Sequence, residues 1–202
     1  HGIEKIIYIS TSGVYGKSEF NKAVSEDFSV SPTSSYAIAK RFNEIYLQSV
    51  SQKYNLNTFS LRYFNVYGPR QDNRMVISRF MNQAMKNKII TVYGDGMQTR
   101  DFTFIDDTVK ATINIAEKCK GTEIINIARG EDITILDIAK EIIKLTNSNS
   151  QIKLVKSPKY RQDFDVEKRC GSSSKLNSLI NYKPDTDLIN GLKKTYNYFL
   201  NL

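Results

Sequence analysis

The chain has 202 residues, 40% hydrophobic and 25% charged, with a formal net charge of +8 and a pI near 9.3. It can therefore bury a core under a charged surface. No apolar run approaches the ~20 residues a membrane helix needs, no charged and then apolar leader opens it, and Cys119 and Cys170 stand far apart without metal-like spacing, as free thiols of a cytoplasmic protein do.

Residues 3–10 (IEKIIYIS) form a short β-branched apolar run, which predicts a strand buried on both faces. The polar TSGVYGKSE follows as a loop. Pro32 precedes a helix beginning near Thr33 or Ser34 and ending near Tyr54. Residues 58–63 (TFSLRY) predict a second buried strand, and NVYGPR a Gly-Pro loop. Then come a helix over 76–86, a strand over 90–93, a tight turn at 94–96, a strand over 101–105 and a helix through 118 whose first turn holds Asp106 and Asp107. A strand over 123–127, a helix over 135–145 capped by Thr134, a strand over 151–155, an irregular basic loop over 157–171 and helices near 173–180 and 187–200 complete the order.

Alternating strands and helices predict an α/β fold with a parallel sheet. The segments divide into 1–72 with 101–120, one sheet-forming unit, and 73–100 with 121–202, a smaller lobe. The lysines are scattered rather than blocked, which disfavours nucleic acid as the partner for the positive charge and leaves an anionic small substrate or an acidic segment outside these residues.

Tyr36 and Lys40 in SSYAIAK are four residues apart, on one helix face. An ammonium beside a phenol favours the phenolate, so the pair reads either as an acid/base site or as an ordinary surface pair. Ser10 to Gly16 (STSGVYG) follows one strand and Arg62 to Arg70 (RYFNVYGPR) the next. Carboxyl ends of neighbouring parallel strands share a crevice, so a hydroxyl, the Tyr/Lys helix and an Asn-rich turn would line one site.

STSGVYG, SPTSSYAIAK, LRYFNVYGPRQ and YGDGMQTRDFTFIDD, in that order, resemble the extended short-chain dehydrogenase/reductase family, in its UDP-glucose 4-epimerase-like, nucleotide-sugar epimerase branch. The resemblance implies the C-terminal part of a Rossmann-like doubly wound parallel sheet plus a smaller α/β substrate-binding lobe, with 1–72 and 101–120 on the NAD side. It also implies NAD as cofactor, a nucleotide-sugar substrate, a homodimer, and no membrane or metal. It assigns Tyr36 as acid/base, Lys40 to the nicotinamide ribose and Thr11 as the hydroxyl beside the sugar, with Ser12 next to it. Phe64 would touch the cofactor. Asn65 and Arg100 would hold the diphosphate, Tyr93 would lie beside the base, and Arg161 and Asp165, with Asp163 as the competing match, would hold phosphate and ribose.

The family's GxxGxxG turn, which seats the cofactor pyrophosphate, is absent from this sequence, which opens at His1 and enters a strand almost at once. The chain reads as the C-terminal two-thirds of such an enzyme, inactive by itself. Dehydratases of the family carry Asp-Glu where this chain has Ser12-Gly13, which favours simple epimerisation. A dehydratase, a reductase of the same family and a non-catalytic nucleotide- or RNA-binding module are the alternatives.

Overall fold

A computed structural model of the chain describes residues 2–17, 22–158 and 166–201. In chain order the elements are β1 (Lys5–Thr11), a 3-10 turn (Ser12–Tyr15), α1 (Ser35–Tyr54), β2 (Asn57–Tyr63), β3 (Val66–Tyr67), α2 (Val76–Met85), β4 (Ile90–Tyr93), β5 (Thr99–Asp101) and β6 (Thr103–Phe104). They continue with α3 (Ile105–Lys118), β7 (Thr122–Ile127), β8 (Asp132–Thr134), α4 (Ile135–Thr146), β9 (Ile152–Val155), α5 (Ser174–Ile180) and α6 (Leu188–Leu200).

Strands β1, β2 and β7 form a parallel sheet in that order, with Ser10 opposite Arg62 and Tyr63 opposite Ile127. Successive side chains of a strand point to opposite faces. On one face Phe59, Leu61, Ile125 and Ile127 are wholly buried against Ala111 and Ile115 of α3 and Leu176 of α5. Each such side chain contributes about 1.5–3 kcal/mol. The opposite face is polar: Ser10 and Arg62 both bond to Glu44 of α1. The second strand is buried from Thr58 to Arg62 as expected, with apolar and polar side chains alternating. The expectation of a first strand buried on both faces is corrected: in β1 only Ser10 is buried, and Ile9 is 39% exposed.

A second core gathers Ile77, Phe80 and Met81 of α2, Ile90 and Val92 of β4, Ile138 and Ile142 of α4 and Leu192 of α6. Here β4 pairs in parallel with β9, and β5 antiparallel with β8. The predicted strand over 101–105 is therefore two short strands: β5 turns to β8, and β6 pairs with β3, inside what read as a loop.

The expected division near residue 120 also moves. Because β7 extends the first sheet and α5 packs on it, 122–127 and 174–180 belong with β1 and β2 rather than with the second lobe. Conversely, Tyr67 and Phe104 pack into the second core.

Local chemistry sets the ends of the helices. Ser34 caps α1, its side chain accepting from the Ala37 amide at 3.1 Å, and Thr134 caps α4, accepting from the Asp137 amide at 3.0 Å. Gly16 has φ 73°, and a Cβ there would lie 1.9 Å from the Ser31 carbonyl oxygen, so only glycine fits where the turn meets the entry to α1. Cys119 and Cys170 are buried and unpaired. No helix among the described residues is long and apolar enough to cross a membrane.

Candidate functional site

At the carboxyl end of β1, Thr11 Oγ1 accepts from the Gly13 amide at 3.1 Å and caps the 3-10 turn. A Cβ on Gly13 would stand 3.3 Å from Thr11 Oγ1 and 3.5 Å from Ala37 Cβ, so the turn rests on the first turn of α1, beside Tyr36. Tyr36 is 59% exposed. Lys40 Nζ lies 5.7 Å from the Tyr36 ring centroid and 4.9 Å from that of Tyr8, and donates to the Ile9 carbonyl at 2.6 Å. Anchored to the strand that ends in Thr11, the ammonium stays beside the open phenol. Thr11, Tyr36 and Lys40 thus come together as a hydroxyl, a phenol and a cation at one end of the sheet. Ser12 is next to Thr11 but buried in the turn.

The end of β2 contributes differently. The Phe64 ring is wholly buried with Val14, Tyr15, Val24 and Ala128, and its amide donates to the Ile127 carbonyl at 3.0 Å, so the residue is closed to a cofactor and the expected contact is not seen. Asn65 Nδ2 donates to the Asp101 carbonyl at 3.1 Å. Asn65 also opens a second cavity, of about 160 Å³, lined with Arg74, Arg79, Tyr93, Gln98 and Arg100. Arg100 Nη1 donates to the carbonyls of Thr99 at 2.8 Å and Val166 at 2.6 Å. The Tyr93 ring carries the Arg79 guanidinium 5.1 Å from its centroid, and Gln98 Nε2 donates to the Tyr93 carbonyl at 3.0 Å. Arg74 is held by Asp72, a bidentate exposed pair. Arg79 and Arg100 line the cavity beside the Asp72-paired Arg74, and the planar guanidinium fork matches phosphate and carboxylate oxygens.

Sequence reasoning reached Asn65, Tyr93 and Arg100 but missed Arg79 and Gln98. No local signal marked Arg79: the burial of its neighbours Ser78 and Phe80 shows only once α2 is packed. It also missed Arg169, whose Nη2 donates to the Gly16 carbonyl at 3.0 Å. Burial, and then the charge of Arg100, pushes Arg169 down to about 10. Arg161, Asp163 and Asp165 lie outside the described residues.

Asp101 ties these parts together. It is wholly buried, and its carboxylate accepts from the amides of Arg129 at 3.1 Å, Gly130 at 2.9 Å and Gly171 at 3.1 Å. One acid so joins β5, the turn after β7 and the chain that follows Arg169.

Residues 1–128 match the model of the NAD dependent epimerase/dehydratase family. A UDP-N-acetyl-alpha-D-glucosaminuronate decarboxylase of Bacillus cytotoxicus is 36% identical, over 98% of this chain and 64% of its own length. The crystal structure of a UDP-glucose 4-epimerase from Thermotoga maritima with UDP-glucose superposes with a TM-score of 0.93 at 31% identity, covering 99% of this chain and 64% of that one. A UDP-glucuronic acid 4-epimerase from Bacillus cereus, in complex with UDP-glucuronic acid and NAD, gives 0.88 at 35% identity, covering 98% and 62%. The chain therefore spans somewhat under two-thirds of the length of the relatives it matches.

Proposed function

Because this chain belongs to the NAD-dependent epimerase/dehydratase family, we propose that it carries the acid/base residues and the substrate cavity of an enzyme that epimerises a UDP-hexose at C4 through a transient 4-keto sugar. The observation that carries the reading is the meeting of Tyr36, Lys40 and Thr11 at the carboxyl end of β1, with the phenol open and the ammonium fixed beside it. The activity proposed is that of an enzyme of the relatives' full length. The 202 residues alone, without a Gly-rich pyrophosphate turn, are expected to be inactive.

The donor set fits NAD: an anchored ammonium and an exposed phenol on one helix face suit the ribose hydroxyls and the nicotinamide side of a dinucleotide. Bound there, NAD would supply a reversible hydride acceptor for the sugar C4. Tyr36 takes the proton of the 4-hydroxyl and later returns it. Lys40 holds the ribose and keeps positive charge beside the phenol oxygen. Thr11 hydrogen-bonds the same sugar hydroxyl and orients it. In the cavity, Asn65 and Arg100 hold the diphosphate, and Tyr93 lies against the base side of the nucleotide. Anchoring the nucleotide while the sugar stays loosely held lets either face of the keto sugar meet the cofactor.

Ser12 and Gly13 separate this reading from its rivals. Neither can transfer a proton as an Asp-Glu pair would, so water elimination lacks its acid and base. The relatives include a decarboxylase as well as epimerases, and a panel of UDP-sugars given to the full-length enzyme sorts the outcomes. Interconversion of C4 epimers with no net NAD consumption supports the proposal. Stoichiometric NAD(H) turnover means a reductase, dehydrated or decarboxylated product means those activities, and nucleotide binding without turnover means a binding module. Tyr36→Phe should lower kcat by about 10²–10⁴-fold while NAD still binds. A variant within a few-fold of wild type removes Tyr36 from the chemistry.

A further inference from the structure

Helix α1 meets the polar face of the sheet through one acid. Glu44 is wholly buried and follows Tyr36 by eight residues and Lys40 by four, so all three share a helix face. Its Oε1 accepts from Ser10 Oγ at 2.6 Å and Arg62 Nε at 2.9 Å. Its Oε2 accepts from Arg62 Nη2 at 2.8 Å and Arg41 Nη1 at 3.0 Å. Arg62, 1% exposed, turns its other nitrogen away from the helix: Nη1 donates to Tyr15 Oη at 3.0 Å. Tyr15 in turn donates to Asn126 Oδ1 at 2.8 Å, and Asn126 Nδ2 donates to the Val24 carbonyl at 2.9 Å.

Such a pair is a poor source of stability. Taking both charges out of water offsets most of their attraction, and apolar residues of similar volume commonly hold a core as well or better. What a bidentate fork supplies is direction. Arg62 reaches α1, which carries Tyr36 and Lys40, with one side of its guanidinium, and with the other it reaches Tyr15, which closes the turn begun by Thr11. Ser10, the residue before Thr11, bonds to the same Glu44. Tyr36 and Lys40 thus stand on the helix this pair holds, and Thr11 follows the serine bonded to it.

We infer that Arg62 and Glu44 are a positioning pair: they fix the rotation of α1 against the Thr11 turn so that the Tyr36 phenol and the Thr11 hydroxyl present their oxygens to one substrate hydroxyl. The inference rests on the proposed function. Neither residue touches substrate, and both act through the elements they hold.

The test uses the full-length enzyme and separates position from stability. In the double variant Arg62→Met/Glu44→Leu the charges vanish together, leaving none buried alone. Its urea midpoint should stay near that of wild type, because the Ser10 hydroxyl loses its acceptor while two charges no longer have to be held out of water. KM for the UDP-sugar and NAD affinity, read by titration, should stay within a few-fold, while kcat falls about 100-fold, the scale of a misplacement near 1 Å. Arg62→Lys, with the charge kept and the fork lost, should give an intermediate kcat. Unchanged kcat in a stable double variant overturns the inference, as does a fall in kcat matched by a loss of stability. If the double variant does not fold, wild-type kcat in Arg62→Lys overturns it. Wild type inactive on every UDP-sugar defeats the proposed function and this inference together, whereas an active wild type with equally active variants defeats the inference alone.

Discussion

Arg100 has its guanidinium tethered through Nη1 to two backbone carbonyls, Thr99 and Val166, which sets the plane of the fork at the cavity wall. A hydrogen bond to a charged group contributes about 1.5–3 kcal/mol. Arg100→Ala should therefore raise KM for the nucleotide sugar by roughly 10- to 100-fold and leave NAD affinity unchanged, because the Tyr36/Lys40 crevice does not include it. Steady-state kinetics paired with NAD titration checks this, and an unmoved KM would leave Arg100 a structural role through Thr99 and Val166. Arg100→Lys should not rescue, since an ammonium cannot hold two carbonyls and a phosphate with one plane. Tyr93, read from sequence as a surface for the nucleotide base, presents its ring to Arg79. A cation on that ring adds charge to the wall on which the diphosphate would lie.

At the scale of elements, Asp101 at the end of β5 holds the turn after β7 and the chain at Gly171. Burial outweighs its three backbone donors and pushes its carboxyl from 3.8 up to about 6. Between those values the folded protein keeps a proton that the unfolded chain has released. Its contribution is thus complete below about pH 4, falls as pH rises and is gone above about pH 6. The rise corresponds to about 3 kcal/mol. Asp101→Asn does not titrate, so the stability of wild type relative to this variant should decline between pH 4 and 6, as read from urea midpoints, and a flat or rising difference would refute the assignment. Other elements show what the sequence could and could not convey. The start of α1 near Ser34, the cap at Thr134 and the shared helix face of Tyr36 and Lys40 depend on residues within one helical turn and were legible. Strand β8 was not: it exists because Asp132 to Thr134 pairs with Thr99 to Asp101, a partner more than thirty residues away. The polar face of the first sheet was written in the alternation of TFSLRY, but Arg62 reads as a strand interior only once Glu44 is known to face it. The arginine cavity was half legible for the same reason, since Arg79 and Arg100 come from separate elements that the second core brings together.

At the scale of the whole molecule, α1 is turned inside out. Only Ala37 and Glu44 are buried, while Ile38, Phe42, Ile45 and Tyr46 are each more than half exposed. The rings of Phe42 and Tyr46 stack at 6.4 Å on that outer face. The sheet takes the helix's polar side, through Glu44, and leaves these apolar residues uncovered. An apolar stripe along a 20-residue helix is costly to leave in water, and a second copy of the same helix is its natural cover, an isologous contact across a two-fold axis. We propose a homodimer of the full-length enzyme built on this face. These 202 residues carry +8 formal charges, so this part of one copy repels the same part of the other, and association should strengthen as salt screens them over about 8–10 Å near physiological ionic strength. Light scattering should give a dimer mass for wild type. Phe42→Glu/Ile45→Glu, which sets buried like charges across the axis without touching Tyr36, Lys40 or Glu44, should give monomers of unchanged circular dichroism. A monomeric wild type at both low and moderate salt would overturn the assembly, and so would a double variant that remains dimeric.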